Sequence, residues 1–231
     1  MNLAEQVENF FFPLPKYCPL CGQKQEKLQI CQECHQKLLY RRSQYGQCQR
    51  CATFGYRGKA CSNCRHWPKY FAGNYSAWPY QEEYRAAIIA FKFSNKPWLA
   101  KCLAREMLPF LPQDYEVLVP VPLHWTRLRE RGYNQSLLLA KELSKLSGIP
   151  CQEYLVRTKV TKHQAELSRQ ERKNNLQQAF TLQAKTKGTQ EKIILVDDIF
   201  TTGATVLSCA QVLHQAGAKK VSSITLASGK D

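Results

Sequence analysis

Ile193-Ile194-Leu195-Val196-Asp197-Asp198-Ile199-Phe200-Thr201-Thr202-Gly203-Ala204-Thr205 is the stretch whose reading decides the fold. It opens on an apolar run of the kind that forms a fully buried strand. Two carboxylates follow where that strand is expected to stop. Adjacent carboxylates offer several acceptor sites, suited to a vicinal diol and a bridging Mg²⁺. Three threonines around Gly203 then open a helix. Hydroxyls and helix-start N–H groups make an anion cradle, glycine lets the backbone come close, and the helix dipole favours a phosphate. The conjunction of hydrophobic run, acidic pair and hydroxyl–glycine loop argues against an ordinary strand-turn-helix with capping threonines. It offers a diol clamp and a phosphate cup, the two handles of a ribose 5-phosphate.

The flanking sequence supplies the rest of an α/β body. Residues 203–216 read as a helix with Val206, Leu207, Ala210 and Leu213 on one face and Gly217 as its stop, and residues 221–227 read as a last strand. Upstream, residues 116–121 form a short apolar run ended by prolines. Residues 134–146 are amphipathic through Leu137, Leu138, Leu139, Ala140, Leu143 and Leu146, and are closed by Gly148 and Pro150. Residues 84–108 show helical spacing broken near Asn95-Lys96-Pro97. Strand, helix, strand in this order predicts a parallel sheet with helices on its faces, and ligands on such sheets bind at the carboxyl ends of the strands.

The amino-terminal third is of another kind. Eight of the 11 cysteines fall in four CxxC pairs: Cys18/Cys21, Cys31/Cys34, Cys48/Cys51 and Cys61/Cys64. Two such pairs complete a tetrahedral four-thiolate site that Zn²⁺ accepts without strain. Nine residues separate pair one from pair two and pair three from pair four, against 13 in the middle. Equal short gaps favour two sequential zinc sites, with an interleaved arrangement as the alternative. His35 and His66 follow cysteine pairs and are expected beside the ligands rather than among them. With few aliphatics over residues 16–70, ligation is expected to supply much of the folding energy. Redox CxxC chemistry lacks its strand-helix context here, and iron–sulfur binding is a minor alternative. Between the cysteines lie Lys24, Lys27, Lys37, Arg41, Arg42, Arg50, Arg57 and Lys59, interleaved with Tyr40, Tyr45, Phe54 and Tyr56; Arg65 and Trp67 follow the last pair. Such a mixture suits single-stranded nucleic acid; equally, the rings pack the small module and the cations solvate it.

Length and composition bound these readings. The chain has 231 residues, 44% of them hydrophobic, enough for a real core. With 22% charged residues and no low-complexity tract, wholesale disorder is excluded. No apolar run is long enough to span a bilayer. Glu5 and Glu8 precede Phe10-Phe11-Phe12, unlike a basic-then-apolar secretory signal, so a cytoplasmic location is expected, with the three phenylalanines packed on the body, the alternative being an anchor to a membrane partner. The net charge is +15, with +7 in residues 1–70, +1 in 71–115, +7 in 116–190 and 0 in 191–231. Such a balance suits a polyanionic partner or a merely solvated basic surface. Arg127, Arg129 and Arg131 are read as phosphate or nucleic-acid contacts, the alternative being an exposed helix face.

The acidic-threonine stretch resembles the phosphoribosyl-pyrophosphate (PRPP) binding signature of type I phosphoribosyltransferases. The wider chain resembles the ComF (competence protein F) family. It has the four CxxC pairs, Val119-Pro120-Val121-Pro122-Leu123-His124, Arg131-Gly132-Tyr133-Asn134-Gln135, and Gln164-Ala165-Glu166-Leu167-Ser168-Arg169 with Arg172 and Asn175. The resemblance implies a type I phosphoribosyltransferase-like parallel sheet over residues 71–231 behind a zinc-binding module over residues 1–70. It implies that Asp197 and Asp198 are the catalytic pair on the ribose hydroxyls, that Thr201, Thr202, Gly203, Ala204 and Thr205 hold the 5-phosphate, and that Mg²⁺ accompanies PRPP. The segment after Val121 would approach the pyrophosphate. His124 is then a ligand contact or a structural hydrogen bond, and Arg131 is a further candidate. Residues 157–175, with Arg157, Arg169 and Arg172, would close over the site. The family's role implies handling of incoming single-stranded DNA in natural transformation, alongside other DNA-uptake proteins at the inner membrane. The alternative is an active enzyme that moves ribose 5-phosphate from PRPP to a nucleophile with loss of pyrophosphate.

Overall fold

A computed structural model describes residues 15–56, 58–158, 179–184, 186 and 191–229. Four parallel strands make the central sheet, in the order β1-β6-β5-β2. These are β1 (Phe71–Pro79), β2 (Val117–Pro120), β5 (Lys192–Phe200) and β6 (Lys220–Ser228). Two short strands, β3 (Leu155–Arg157) and β4 (Phe180–Leu182), pair antiparallel beside it. The helices are α1 (Gln32–Gln44), α2 (Glu82–Phe93), α3 (Leu99–Met107) with a 3₁₀ turn at Leu108–Phe110, α4 (Trp125–Arg131), α5 (Gln135–Ser147) and α6 (Ala204–Gln215). No helix among the described residues is long and apolar enough to cross a membrane.

The apolar runs are continuous because both faces of the sheet are buried. Alternate residues feed two cores. Leu118, Ile194, Val196, Ile224 and Leu226 join Ile88 of α2, Leu103 of α3 and Leu139 and Leu143 of α5 on one face. Val117, Val119, Ile193, Leu195 and Val221 join Val206, Cys209, Ala210 and Leu213 of α6 on the other. The break read at Asn95-Lys96-Pro97 separates α2 from α3, and Asn95 there adopts a positive φ of 47°. One boundary differs in a way that matters. The strand expected to end before the acidic pair runs on to Phe200, because Asp197, Ile199 and Phe200 stay paired with Thr225, Ala227 and Ser228 of β6. On its other side the ladder ends where Val121 N–H donates to Val196 O at 3.0 Å. Pro122 follows, and proline has no N–H to continue the ladder. From Asp197 onward β5 is therefore open on its β2 side.

The cysteine-rich segment closes the opposite edge. Arg42 of α1 donates to Ser76 O (3.0 Å) and to Ala77 O. Asn74 donates its backbone N–H to Arg50 O (2.9 Å) and its side-chain amide to Cys51 O (3.0 Å). Edge strand β1 is thus covered rather than left to pair with another chain. The segment's buried residues join the two sheet cores. Cys18, Leu28, Ile30, Cys31 and Leu38 extend one, and Cys48, Cys51, Cys61, Cys64 and Trp67 extend the other. Ligation was expected to replace a core here; the segment instead shares the body's cores on both faces.

Gly73 marks the tightest point of this docking. A Cβ there would lie 2.5 Å from the backbone oxygen of Arg50. Gly73→Ala is expected to lower stability by about 1–3 kcal/mol through overpacking, read as a lower urea midpoint at unchanged slope.

Candidate functional site

The gap beside the end of β5 is a cavity of about 270 Å³. Asp197, Asp198, Thr201, Thr202, Gly203, Ala204 and Thr205 form its floor and one wall. Lys92, Arg127, Arg131, Gln135, Ser136 and Arg157 face them. The sequence motif therefore lies in one place, with cations from three other elements opposite.

The acidic pair is held by specific partners. Ser136 Oγ donates to Asp197 Oδ1 at 2.9 Å, and the same oxygen accepts the Asp198 N–H at 2.9 Å. Asp198 Oδ2 lies 3.0 Å from Lys92 Nζ, and both side chains are largely buried. Burial, reinforced by the neighbouring Asp198 charge, pushes Asp197 up to about 7, against the opposing pull of the Ser136 hydroxyl, the Asp198 N–H and Lys92. Burial also lowers Arg131 and Arg157.

Local sequence explains these placements. Gly132 ends α4 in the left-handed conformation (φ 77°), which turns the chain straight into α5. Asn134 caps α5: its Oδ1 accepts the Ser136 N–H at 3.0 Å, and its Nδ2 donates to Val121 O at 3.1 Å. The second of these hydrogen bonds ties the start of α5 to Val121, just past β2, and the first holds Ser136 over Asp197. Gln135, fully buried, accepts from Arg131 Nη1 at 3.2 Å. Tyr133 Oη donates to Phe91 O, fastening the end of α2 that carries Lys92. In the threonine loop, Thr202 Oγ1 accepts the Ala204 N–H at 3.3 Å, and Gly203 has φ 80°. A Cβ on Gly203 would meet Phe200 at 2.8 Å and Trp67 at 3.0 Å. Only glycine fits there for both reasons.

Arg131 and Arg157 line the cavity as expected candidates. His124 does not: it is buried, and its Nδ1 caps α4 by accepting the Thr126 N–H at 3.3 Å. That is the structural hydrogen bond weighed as its alternative role. The closing segment, with Arg169 and Arg172, lies outside the described residues apart from its first two positions, as does the Phe10–Phe12 cluster. Lys92 and Ser136 carried no signal in the sequence. One is the last polar residue of an apolar helix, and the other is a common serine after a cap.

The cysteines gather into two groups, Cys18-Cys21-Cys31-Cys34 and Cys48-Cys51-Cys61-Cys64, each with its ligand atoms within 4.8 Å of one another. This is the sequential grouping. Sulfur pairs stand 3.5–3.7 Å apart, namely Cys21–Cys31, Cys48–Cys64, Cys51–Cys61 and Cys61–Cys64. A disulfide needs about 2.05 Å. A tetrahedral ion with bonds of about 2.3 Å places its sulfurs about 3.8 Å apart. Each group could therefore hold one metal ion. In the second group burial raises the Cys48 thiol, but the N–H groups of Cys51, Arg50 and Cys61 outweigh it and bring it down to about 7. The second group also touches the cavity wall. Asn63 Nδ2 donates to Thr202 O at 3.2 Å, and Trp67 packs edge-on against Phe200.

Comparison with known proteins follows this geometry. A phosphoribosyl transferase domain family matches residues 134–231. Competence protein F of Haemophilus influenzae is 31% identical over 208 residues, covering 83% of this chain and 87% of its own length. The chain belongs to the competence protein F family. DNA utilization protein YhgH of Escherichia coli K12 is 34% identical over 172 residues, 70% of this chain and 74% of that protein. Competence protein ComFC of Bacillus subtilis is 29% identical over 90% of this chain and 76% of its own. The competence protein F fold is thus a type I phosphoribosyltransferase fold, a parallel sheet flanked by helices, with cysteine-rich clusters compatible with zinc at its amino end.

Asp197 makes the ligand-free protein pH-sensitive. Its carboxyl titrates at its ordinary 3.8 when unfolded and near 7 when folded. The fold binds the proton more tightly, so this contribution is complete below pH 3.8 and lost as pH rises through 7. Across that window the melting temperature of the wild type is expected to fall relative to Asp197→Asn, whose amide does not titrate. Parallel melting curves of the two proteins at every pH would contradict this.

Proposed function

We propose that this protein handles incoming single-stranded DNA during natural transformation, in the cytoplasm, on a phosphoribosyltransferase fold that binds PRPP. The single observation behind the sugar-phosphate half is the cavity that faces Asp197, Asp198 and the threonine loop with Lys92, Arg127, Arg131 and Arg157. Asp197 and Asp198 accept the ribose hydroxyls. Thr201 to Thr205 receive the 5-phosphate, with Gly203 allowing close approach. Arg131 and Arg157 face the pyrophosphate. Mg²⁺ accompanying the pyrophosphate would neutralise part of its charge. The DNA half is supported by kinship with a competence protein and with a DNA utilization protein, and by the basic surplus in residues 1–70 and 116–190.

The eight cysteines fit zinc by donor type and by sulfur spacing, and in this reading they hold two ions. Cys18, Cys21, Cys31 and Cys34 take one, and Cys48, Cys51, Cys61 and Cys64 the other. Zinc would fasten the segment that covers β1 and, through Asn63 and Trp67, would steady the phosphate loop.

A second reading, active transfer of ribose 5-phosphate to a nucleophile, is favoured by the cations opposite the acidic pair. In this reading they would stabilise a departing pyrophosphate.

Calorimetry with Mg²⁺ and PRPP tests the site. Saturable binding is expected. Asp198→Asn should weaken it by about ten-fold or more, because it removes a diol acceptor and leaves Lys92 buried without its carboxylate. No heat at saturating ligand would reject the sugar-phosphate reading. In a transformation assay, Asp197→Ala with Asp198→Ala and, separately, Cys18→Ala are each expected to abolish uptake. Loss with the cysteine change alone would show the sugar site to be dispensable. Chelation of the purified protein is expected to release two zinc ions per chain and lower its melting temperature.

A further inference from the structure

The cations and rings between the cysteines suit nucleic acid or, equally, packing of the small module, and the structure uses several of them internally. The Arg42 guanidinium is bonded to β1 and lies 4.1 Å from the Phe110 ring centre and 5.1 Å from that of Phe54. Arg50 donates to Cys64 O and Trp67 O, and Trp67 is buried. Cations and rings together face solvent elsewhere, on α4 and at the end of α2, the elements that bring Arg127, Arg131 and Lys92 to the cavity. Phe93, the last residue of α2, is 66% exposed, and Trp125, the first of α4, is 57% exposed. Leu128 adds a third apolar side chain, 42% exposed. Each ring has an arginine over it. Arg131 lies 4.8 Å from the Phe93 centroid, and Arg129 lies 5.8 Å from that of Trp125.

Helix α4 thus has two faces. Trp125, Leu128 and Arg129, at spacings of three and four, share the outer one. Arg127 and Arg131, also four apart, line the cavity. The seven-residue helix holds three arginines against Glu130 alone. Exposed aromatics under guanidinium groups are poorly suited to a neutral apolar partner, since docking would strip water from the cations. They suit a polyanion with flat, unpaired faces: rings stack on rings and cations meet the linking phosphates.

We propose that single-stranded DNA is seated on this rim, with bases stacked on Phe93 and Trp125 and phosphates on Arg129 and Arg131. This deepens the DNA-handling reading above and rests on it. It names the surface and places it against the sugar-phosphate cavity, with Arg131 belonging to both. It also leaves the cysteine-rich segment a supporting role rather than the gripping one.

The test is fluorescence anisotropy of labelled oligo-dT with the full chain, beside calorimetry with Mg²⁺ and PRPP. Phe93→Ala and Trp125→Ala are each expected to weaken oligo-dT binding about ten-fold, the effect of losing one stacked base. Melting temperature and the heat with PRPP should stay at wild-type values. Arg129→Ala is expected to reduce the log–log salt slope by about 0.7, one phosphate contact on a single strand. Tyr40→Ala, an exposed ring in the cysteine-rich segment, should bind as wild type. Oligo-dT should quench the fluorescence of Trp125, so Trp125→Phe keeps affinity and loses the quench. Wild-type affinity in both Phe93→Ala and Trp125→Ala overturns the proposal, as does a loss carried by Tyr40→Ala. Equal affinity for duplex DNA overturns it too, because paired bases cannot reach the rings. A wild-type protein with no oligo-dT affinity at all overturns the DNA-handling reading itself, whatever PRPP does.

Discussion

Two consecutive carboxylates at the buried end of a central strand are the constraint that the rest of this structure answers. Like charges that close repel, and burial penalises both. Asp197 is relieved by the Ser136 hydroxyl and by the Asp198 N–H, while burial still raises its carboxyl to about 7. Asp198 is relieved by Lys92. Each solution fixes an element. Helix α2 must end where Lys92 can reach the strand, and Tyr133 and Gln135 hold it there. Helix α5 must start on Asn134 so that Ser136 sits over Asp197. Strand β2 must stop at Pro120, or the space that the carboxylates face would be filled by a ladder. The cavity is the consequence of a short strand beside a long one.

The cysteine-rich segment answers a second constraint, the exposed edge of β1. It covers that edge with Arg42, Arg50 and Cys51, and it places one thiol group on each face of the sheet. The segment of the second group also reaches the threonine loop, Thr202 through Asn63 and Phe200 through Trp67. Gly203, with no room for a methyl group, is where that contact is tightest.

How legible all this was in the sequence follows from where the deciding interactions lie. Strands β2, β5 and β6 and helices α5 and α6 were readable because both faces of the sheet are buried and the helices carry long apolar faces. The acidic-threonine stretch was readable because its chemistry is contiguous. Strand β1 was not: Phe71-Ala72-Gly73-Asn74-Tyr75-Ser76-Ala77-Trp78-Pro79 mixes polar residues with apolar ones. Its Asn74 and Ser76 are buried against the cysteine-rich segment and the neighbouring strand rather than facing water. Helix α4 was too short to show a period. Lys92 and Ser136 act through partners 106 and 61 residues away in sequence, distances at which no spacing rule speaks. The cysteine grouping was legible in the equal gaps, but its docking onto both cores was not.

The basic surplus itself divides by environment, and this decides what it can do. Arg42 and Arg50 are structural cations: their guanidinium groups satisfy backbone oxygens, and burial lowers Arg42. Arg131 and Arg157 are cavity cations, partly stripped of water beside Asp197 and Asp198. Arg42 and Arg50, bonded within the fold, do not neutralise DNA phosphates, the step that releases the DNA's own condensed counterions and gives nucleic-acid binding its salt dependence. Exposed cations carry most of that term, and salt screens them more than buried ones. The +7 of residues 1–70 therefore overstates that region's pull on DNA. Arg129, set over an exposed ring on the outer face of α4, contributes more than its single charge, because the same site offers the stacking surface that distinguishes an unpaired strand from any other anion.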